Sequence, residues 1–195
     1  MSVSIISHGH STYTIVVGDT RLLIDPFFGD NPMATIGADE VDADYILLTH
    51  GHADHTADAL SVAERSGATV ISNYEIVGWV NAKGHPNAHA QHIGGGFQHP
   101  FGHVKMTPAW HGSVLPDGAY GGNPAGFLLT VEGKKIYVSG DTGLFSDMTL
   151  IGKRGWMWLL FALAIILRWG RMIPFGRCSS CSPRWPSLAT IIPGR

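Results

Sequence analysis

Several features that would place the chain in a special class are scarce or missing. It has only two cysteines, which excludes a disulfide framework as the source of its stability. Its 13 basic and 15 acidic residues give a formal net charge of -2, which provides no basic surface for a nucleic acid. The amino terminus has neither a basic segment nor a continuous apolar run, so we expect no secretory signal. These absences predict a soluble cytoplasmic protein with no nucleic-acid partner and no specific membrane partner.

Histidine is the residue type in excess, with 11 copies, and its distribution divides the chain. All 11 histidines and all 15 acidic residues precede Ile151. From Ile151 onward the chain has seven lysines and arginines, no acidic residue, both cysteines and four of the six tryptophans. So abrupt a change indicates either a domain boundary or a carboxyl-terminal segment that was not selected together with the rest.

The spacing of apolar residues predicts a mixed α/β domain. Short runs of β-branched and apolar residues, separated by turns, predict strands at 3–6, 13–17, 21–25, 45–48, 68–72, 103–111, 125–133 and 134–141. Apolar residues at helical spacing predict helices at 55–67 and 73–84. Alternating strands and helices followed by a run of strands indicate sheets whose faces are covered by helices.

The stretch "THGHADH", from Thr49 to His55, concentrates metal-binding side chains directly after a predicted buried strand. On a loop that leaves a strand, alternate side chains can turn to the same side, so His50 and His52 form one pair. Asp54 and His55 form a second pair beside it. Imidazole and carboxylate ligands suit zinc, and two neighbouring ions can generate a hydroxide nucleophile near neutral pH. The alternative is a histidine-rich loop in solvent.

The same stretch resembles the H-x-H-x-D-H signature of the metallo-β-lactamase superfamily. Longer segments narrow the resemblance to the UPF0173 group of metal-dependent hydrolases, which is related to the ascorbate-phosphate lactonases. These segments are "GHSTYTI" (9–15), "LLIDPFF" (22–28), "ADYILLTHGHADH" (43–55), "YGGNPAGF" (120–127) and "GDTGLFSDM" (140–148). The resemblance implies a four-layered αβ/βα sandwich with a two-metal site at the sheet edges. It covers residues 1–155, which we interpret as the hydrolase domain, with the second half of the fold incomplete in this chain.

The resemblance also implies the ligands of two divalent ions, with Zn²⁺ expected and Mn²⁺ as the alternative. It assigns His50, His52 and His111 to the first ion, Asp54, His55 and a further histidine to the second, and Asp141 as the bridge. Asp54 is also the expected catalytic residue, which orients the nucleophile or passes on its proton. Asp25 is either an acceptor for a ligand imidazole or a turn residue before proline. His10 is expected to face the pocket without being a ligand. The remaining histidines are expected to be solvated or loop residues: His8, His85, His89, His92, His99 and His103.

The second ion lacks one ligand, because no histidine follows His111. In the group that the chain resembles, this ligand lies near the carboxyl terminus, in a stretch of the form P-x-H-Y-x-T. Residues 156–195 resemble nothing in the group. However, the codons that can encode these residues also permit another translation when they are read one nucleotide out of register. That translation contains Val-Asp-Val, then a Gly-Asp-Asn-Phe-Thr-Met-Gly-Pro motif, then the absent histidine. The three features follow one another in the same order as in the group that the chain resembles. The sequence therefore predicts a frameshift near residues 154–156 and an out-of-frame tail over 156–195.

Two features of this tail have other interpretations. The apolar run at 156–167 is shorter than the roughly 20 residues that span a bilayer, although it could lie on a membrane surface. The C-x-x-C spacing of Cys178 and Cys181 lacks a second pair for zinc. We interpret both as by-products of the shifted frame.

Two hypotheses about function remain open. The first is a metal-dependent hydrolase in which a water molecule activated by two ions attacks an ester, lactone or phosphoester-type bond of a small-molecule substrate. The second is a catalytically disabled member of the same group, which lacks the last ligand and carries an apolar, basic tail that aggregates or associates with membranes.

Overall fold

The structure is a computed structural model, and it describes residues 2–153 and the main chain of residues 158–162. The strands are β1 (Val3–Ser7), β2 (Tyr13–Val17), β3 (Thr20–Ile24), β4 (Tyr45–Leu47), β5 (Thr69–Ser72), β6 (Ala88–Ala90), β7 (Gly96–His99), β8 (Gly102–Pro108), β9 (Ala125–Val131), β10 (Lys134–Asp141) and β11 (Trp158–Ala162). The helices are α1 (Ala53–Thr56), α2 (Ala59–Ser66), α3 (Tyr74–Ala82) and α4 (Met148–Gly152), and a short 3-10 helix covers Ala38–Glu40.

The strands form two sheets. The first has six strands in the order β1 to β6, antiparallel from β1 to β3 and parallel from β3 to β6. The second has five strands in the order β11-β10-β9-β8-β7. It is antiparallel from β7 to β10, and β11 lies parallel to β10. The parallel strands β3, β4 and β5 therefore end at one edge of the first sheet.

Alternation along β3 shows how the sequence separates the layers. Leu22 and Ile24 belong to the core between the two sheets, where they join Phe127 and Val138 of the second sheet. Leu23 points to the opposite side and packs in a core with residues of α2 and α3. Because side chains alternate across a strand, a continuous apolar run such as "LLI" places buried side chains in the core on each face of the sheet.

A smaller cluster covers the outer face of the second sheet. Leu128 of β9 and Tyr137 of β10 pack there against Ile151 of α4. The layers thus follow the order helix, sheet, sheet, helix, and the predicted αβ/βα sandwich is confirmed. Within the described ranges, this outer helical layer consists of the five-residue α4 alone.

The predicted helix at 55–67 is divided into α1 and α2. Asp58 lies at the division, and its carboxylate accepts hydrogen bonds from the main-chain N–H of Phe28 at 2.6 Å and of Gly29 at 3.2 Å. The Asp58 side chain therefore fixes the loop after β3, and the main chain does not continue as a single helix at this residue. Gly67 ends α2 in the left-handed conformation, with φ of 69°, as glycine commonly does at a helix carboxyl terminus.

The histidines outside the cluster are not all solvated. His99 ends β7, is 5% exposed and stacks on Phe101 with ring centroids 5.3 Å apart. His85 lies in a loop but is buried, with its Nε2 atom 2.9 Å from the carbonyl oxygen of Ala68. The prediction was wrong for His99, because burial in a strand pair depends on distant partners that the spacing along the chain does not reveal.

The tail is described only at β11. That strand comprises part of the apolar run at 156–167 and pairs through its main chain with β10. The Cys178–Cys181 pair and the rest of the predicted out-of-frame tail lie outside the described residues. Among the described residues, no helix has the length and apolar character needed to cross a membrane.

Candidate metal centre

The histidine cluster lies at the carboxyl edge of two neighbouring parallel strands. Thr49 and His50 follow β4, and Asp25 follows β3 directly. Asp25 is 1% exposed, and its carboxylate accepts hydrogen bonds from the main-chain N–H of Thr49 at 2.8 Å and from the Thr49 hydroxyl at 2.6 Å. The aspartate thereby fastens the loop that carries His50 and His52 to the end of β3. Of the two interpretations of Asp25, the turn residue and the acceptor, the structure supports the acceptor.

A first group of donors consists of His50, His52 and His111, whose nearest ring nitrogens all lie within 4.8 Å of one another. His50 Nε2 is 3.1 Å from His52 Nδ1. His50 Nδ1 is 3.0 Å from the Thr49 hydroxyl. Since that hydroxyl donates its proton to Asp25, its oxygen is left to accept from His50 Nδ1. The Nε2 lone pair of His50 is then directed at the group.

A second set of donors surrounds His55. One group joins His50, His55 and Asp141, and another joins His10, Asp54 and His55, again with donor atoms within 4.8 Å. Asp141 reaches both sides of the cluster, because its Oδ1 is 3.5 Å from His55 Nε2 and its Oδ2 is 3.7 Å from His111 Nε2. Asp141 therefore lies between the two sets of donors.

His55 provides a test of whether a cation fits the cluster. Its ring is fully buried, and its Nδ1 lies 2.9 Å from Asp25 Oδ2. Its Nε2 atom is buried with no hydrogen-bond partner among the described residues. Leaving a polar atom in that condition costs about 1–3 kcal/mol, and a metal ion would satisfy it. A donor set of imidazole nitrogens and carboxylate oxygens is the kind that zinc and manganese accept.

The cluster shifts the pKa values of its own members. Burial, together with the neighbouring histidines, lowers the pKa of His50 to about 2, so this ring is neutral and free to act as a ligand. Burial also disfavours the charged form of His55, but the carboxylates of Asp25 and Asp141 outweigh it and raise the pKa of His55 to about 10. The hydrogen bond from His10 holds the pKa of Asp54 well below its usual range. A cation bound at His55 therefore replaces a proton, which makes binding dependent on pH.

His111 and Asp141 approach each other because the loops after β8 and β10 are joined. The main-chain N–H of Trp110 donates to the Thr142 hydroxyl at 2.8 Å, and that of Gly143 donates to the Trp110 carbonyl at 3.0 Å. No sequence pattern indicated that Thr142 joins these two loops. The strand predicted over 103–111 ends at Pro108, so His111 lies in a loop and these two bonds position it.

Exposure distinguishes two sides of the cluster. His50 and His55 are fully buried, whereas the side chains of His111 and Asp54 are 24% and 46% exposed. A substrate can thus approach on the side of His111 and Asp54. All six residues expected as ligands lie in this one cluster, and His10, which was expected to face it, lies at its edge.

Comparison with known proteins identifies several that resemble this chain. The model of the beta-lactamase superfamily domain matches residues 20–173. A UPF0173 metal-dependent hydrolase of Shouchella clausii is 47% identical over 152 residues, which are 75% of this chain and 67% of that protein. A UPF0173 metal-dependent hydrolase of Thermus thermophilus is 45% identical over 147 residues, covering 75% of this chain and 65% of the other.

Among solved structures, Igni18, a metallo hydrolase from the archaeon Ignicoccus hospitalis, is similar in fold and in sequence. The two share 32% identity and a TM-score of 0.68, over 77% of this chain and 66% of that one. The chain thus spans about two thirds of the length of the proteins that it matches.

Proposed function

Because this chain belongs to the beta-lactamase superfamily and, within it, to the UPF0173 metal-dependent hydrolases, we propose that its histidine–aspartate cluster binds two divalent ions and hydrolyses an ester, lactone or phosphoester-type bond. The resemblance noted in the sequence is confirmed, and the chain is a metal-dependent hydrolase by family. A small-molecule substrate is part of the proposal. The number of ions, their identity and the bond that is cleaved are the proposed part.

The convergence of three overlapping donor groups carries this proposal. The groups use residues from the loops after β4 and β8, from α1, from the last position of β10 and from the hairpin after β1. A histidine-rich loop in solvent would not bury His50 and His55 completely or leave His55 Nε2 without a hydrogen-bond partner. That buried nitrogen, which makes no hydrogen bond, is the single observation that best supports a cation at the cluster.

Each residue has a proposed role. His50, His52 and His111 hold the first ion, Asp54 and His55 hold the second, and Asp141 contacts both. Zn²⁺ fits this donor set, with Mn²⁺ as the alternative. Ions bound there supply positive charge that polarises the substrate and lowers the pKa of a water molecule to about 7.

Asp54 is the proposed catalytic residue. Its carboxylate is ionised, since its pKa is held low, and it lies on the exposed side of the cluster. It can therefore accept a hydrogen bond from the attacking water and orient it. Asp25 acts one step further away, because it orients the His55 ring and the Thr49 loop without facing the substrate.

A second candidate is a disabled member of the family. One observation favours it: no histidine follows His111, so the chain has one donor fewer than the family resemblance implies. Under this candidate the domain comprises residues 1–155, and residues 156–195 are a tail in the wrong frame that causes aggregation or membrane association. Sequencing the gene on both strands across the codons for residues 152–157 tests the frame directly.

Metal content and hydrolysis, measured on the purified 195-residue chain, decide between the two. A hydrolase retains two zinc ions per chain after desalting and cleaves a generic phosphodiester or lactone. It loses that activity in chelator and recovers it with Zn²⁺ or Mn²⁺. A disabled chain retains one ion or fewer and is poorly soluble.

Two variants make the experiment specific to the cluster. His111→Ala removes an exposed ligand, and we expect kcat/KM to fall at least a hundredfold with the fold intact, because the first ion loses one of its three histidines. The control is His92→Ala, an exposed histidine outside the cluster. Hydrolysis that persists in chelator, or that His111→Ala leaves unchanged, would show that the cluster is not the active site.

A further inference from the structure

His10 lies at the edge of the cluster, facing it as expected, but close enough to Asp54 and His55 to share a ligand with them. It lies in the hairpin between β1 and β2, on a different part of the chain from the other donors. Its Nε2 atom is 3.2 Å from Asp54 Oδ2, and its ring centroid is 5.2 Å from that of His55. One nitrogen of His10 belongs to a group with Asp54 and His55 whose donor atoms all lie within 4.8 Å of one another.

The hairpin is shaped to hold His10 at that point. His10 has φ of 51°, a left-handed conformation that is unfavourable for a residue with a side chain. Gly9 before it has φ of 90°, and a Cβ atom there would lie 2.4 Å from Met33 Cβ. Strain of this kind persists only where the surrounding structure imposes it, and it is frequent at ligand sites.

Hydrogen bonds connect the hairpin to the support of the cluster. The main-chain N–H of Thr12 donates to the Gly9 carbonyl at 3.1 Å. The Thr12 hydroxyl donates to the main-chain carbonyl of Asp25 at 2.7 Å. Asp25 also holds the His55 ring, so the hairpin and His55 are positioned by the same residue.

A second observation, independent of the hairpin, points to a ligand between these groups. His55 Nε2 is buried without a hydrogen-bond partner, and it lies 3.9 Å from Asp54 Oδ2 and 3.5 Å from Asp141 Oδ1. An ion at this place has a nitrogen from His55 and oxygens from Asp54 and Asp141. A catalytic zinc ion keeps a water molecule beside three protein ligands and can expand to five donors, so a further donor next to these groups fits the ion.

We propose that His10 is the fourth ligand of the second metal ion in this chain, beside Asp54, His55 and the shared Asp141. The inference rests on the proposed function, since it assumes an ion at His55. It gives the second ion four donors from the described residues. It also explains why a strained hairpin brings an imidazole to within 3.2 Å of Asp54.

The competing role for His10 is that of a hydrogen-bond donor to Asp54. The isosteric pair His10→Gln and His10→Glu separates the two roles. Glutamine keeps a donor for Asp54 but is a poor metal ligand, whereas glutamate is a ligand that cannot donate. Both have similar reach and the same strain in the left-handed conformation.

Zinc is the probe, with stoichiometry from elemental analysis and affinities from calorimetric titration of the metal-free chain. Titration with Co²⁺ provides a second readout, because its visible absorption reports the coordination of each ion. We expect two sites in the parent chain and an affinity at the weaker site at least tenfold lower in His10→Gln. In His10→Glu this affinity is retained to within about threefold, and His92→Gln serves as the control at a distant exposed histidine.

The outcomes separate this inference from the proposed function. If the parent chain binds two ions and His10→Gln binds both with unchanged affinity and an unchanged cobalt spectrum, the proposed function stands and His10 is not a ligand. The inference also fails if glutamate weakens the second site as much as glutamine does. If the parent chain binds fewer than two ions, the two-metal function itself is wrong and the inference fails with it.

Discussion

Replacing Asp25 with asparagine disturbs the cluster while every proposed ligand is retained. The carboxylate of Asp25 accepts three hydrogen bonds: Thr49 N–H at Oδ1, and the Thr49 hydroxyl and His55 Nδ1 at Oδ2. An asparagine has one oxygen and one NH₂ group in place of the two carboxylate oxygens. One orientation of the amide leaves the buried N–H of Thr49 facing a donor.

The other orientation acts on the metal site. It places NH₂ against His55 Nδ1, which must then accept a hydrogen bond and carry no proton. The neutral ring has its proton on Nε2 in that state, and this is the nitrogen that would bind the ion. Either orientation therefore weakens the site or the loop that carries it.

The structure gives the size of both effects. Hydrogen bonds to a charged group contribute about 1.5–3 kcal/mol each, and the Asp25 side chain is 1% exposed. We expect the free energy of unfolding to fall by about 2–4 kcal/mol, allowing for one bond lost and one rearranged. Loss of a residue that orients a metal ligand lowers metal affinity about 10–100-fold.

Urea unfolding of the metal-free chain and calorimetric titration with zinc measure the two effects separately. The matched control is Asp44→Asn, because Asp44 is an exposed aspartate whose carboxylate accepts the Arg21 main-chain N–H at 2.7 Å. We expect this control to change stability by less than about 1 kcal/mol and to leave zinc affinity unchanged. If Asp25→Asn binds zinc as tightly as the parent chain, the proposed orientation of His55 is wrong.

Three further predictions concern stability. Burial and, to a lesser extent, the nearby His89 and His103 lower the pKa of His99 to about 4. Folding therefore favours the neutral ring. The contribution of His99 to the free energy of unfolding is fully present above pH 6.5, and it is lost as the pH falls toward 4. His99→Phe should therefore remove about 2 kcal/mol of the stability difference between pH 7.5 and pH 5 in urea unfolding, and an unchanged difference would contradict this. Asn73→Ala removes the side-chain cap of α3, which accepts from a main-chain N–H at 2.8 Å, and two hydrogen bonds from the Asn73 amide to the carbonyls of Gly121 and Asn123. The free energy of unfolding should fall by at least about 1–2 kcal/mol, and an unchanged melting temperature would show that these bonds contribute nothing. Gly140→Ala places a Cβ 2.6 Å from a carbonyl oxygen of β9 at φ of 60°, so soluble yield and zinc binding should both fall, and a normal yield with normal binding would contradict the clash.

The parts of the site that could be predicted from the sequence are those with a local pattern. The apolar run at 45–48 and the cluster after it predicted a strand that ends at the ligands, and β4 followed by His50 has this form. Asp141 was predicted at the end of a strand, and β10 ends at that residue. His10 could not be assigned in this way, because its nearness to Asp54 depends on how the β1–β2 hairpin folds over the cluster.

The missed elements of the fold have a common physical cause. β6 and β7 have the sequences "AHA" and "GFQH", which contain no run of β-branched residues, and each is a strand through pairing at a sheet edge. α4 has five residues and one buried side chain, Ile151. Such elements depend on tertiary contacts rather than on local propensity. The out-of-frame origin of residues 156–195 stays a prediction.

The claim that the cluster holds two ions is tested most directly by X-ray diffraction from zinc-loaded crystals, with data collected at the zinc absorption edge. The account predicts two anomalous peaks. One lies among His50, His52 and His111, the other among His10, Asp54 and His55, with Asp141 next to both. A single peak, or none at this edge of the first sheet, would contradict it.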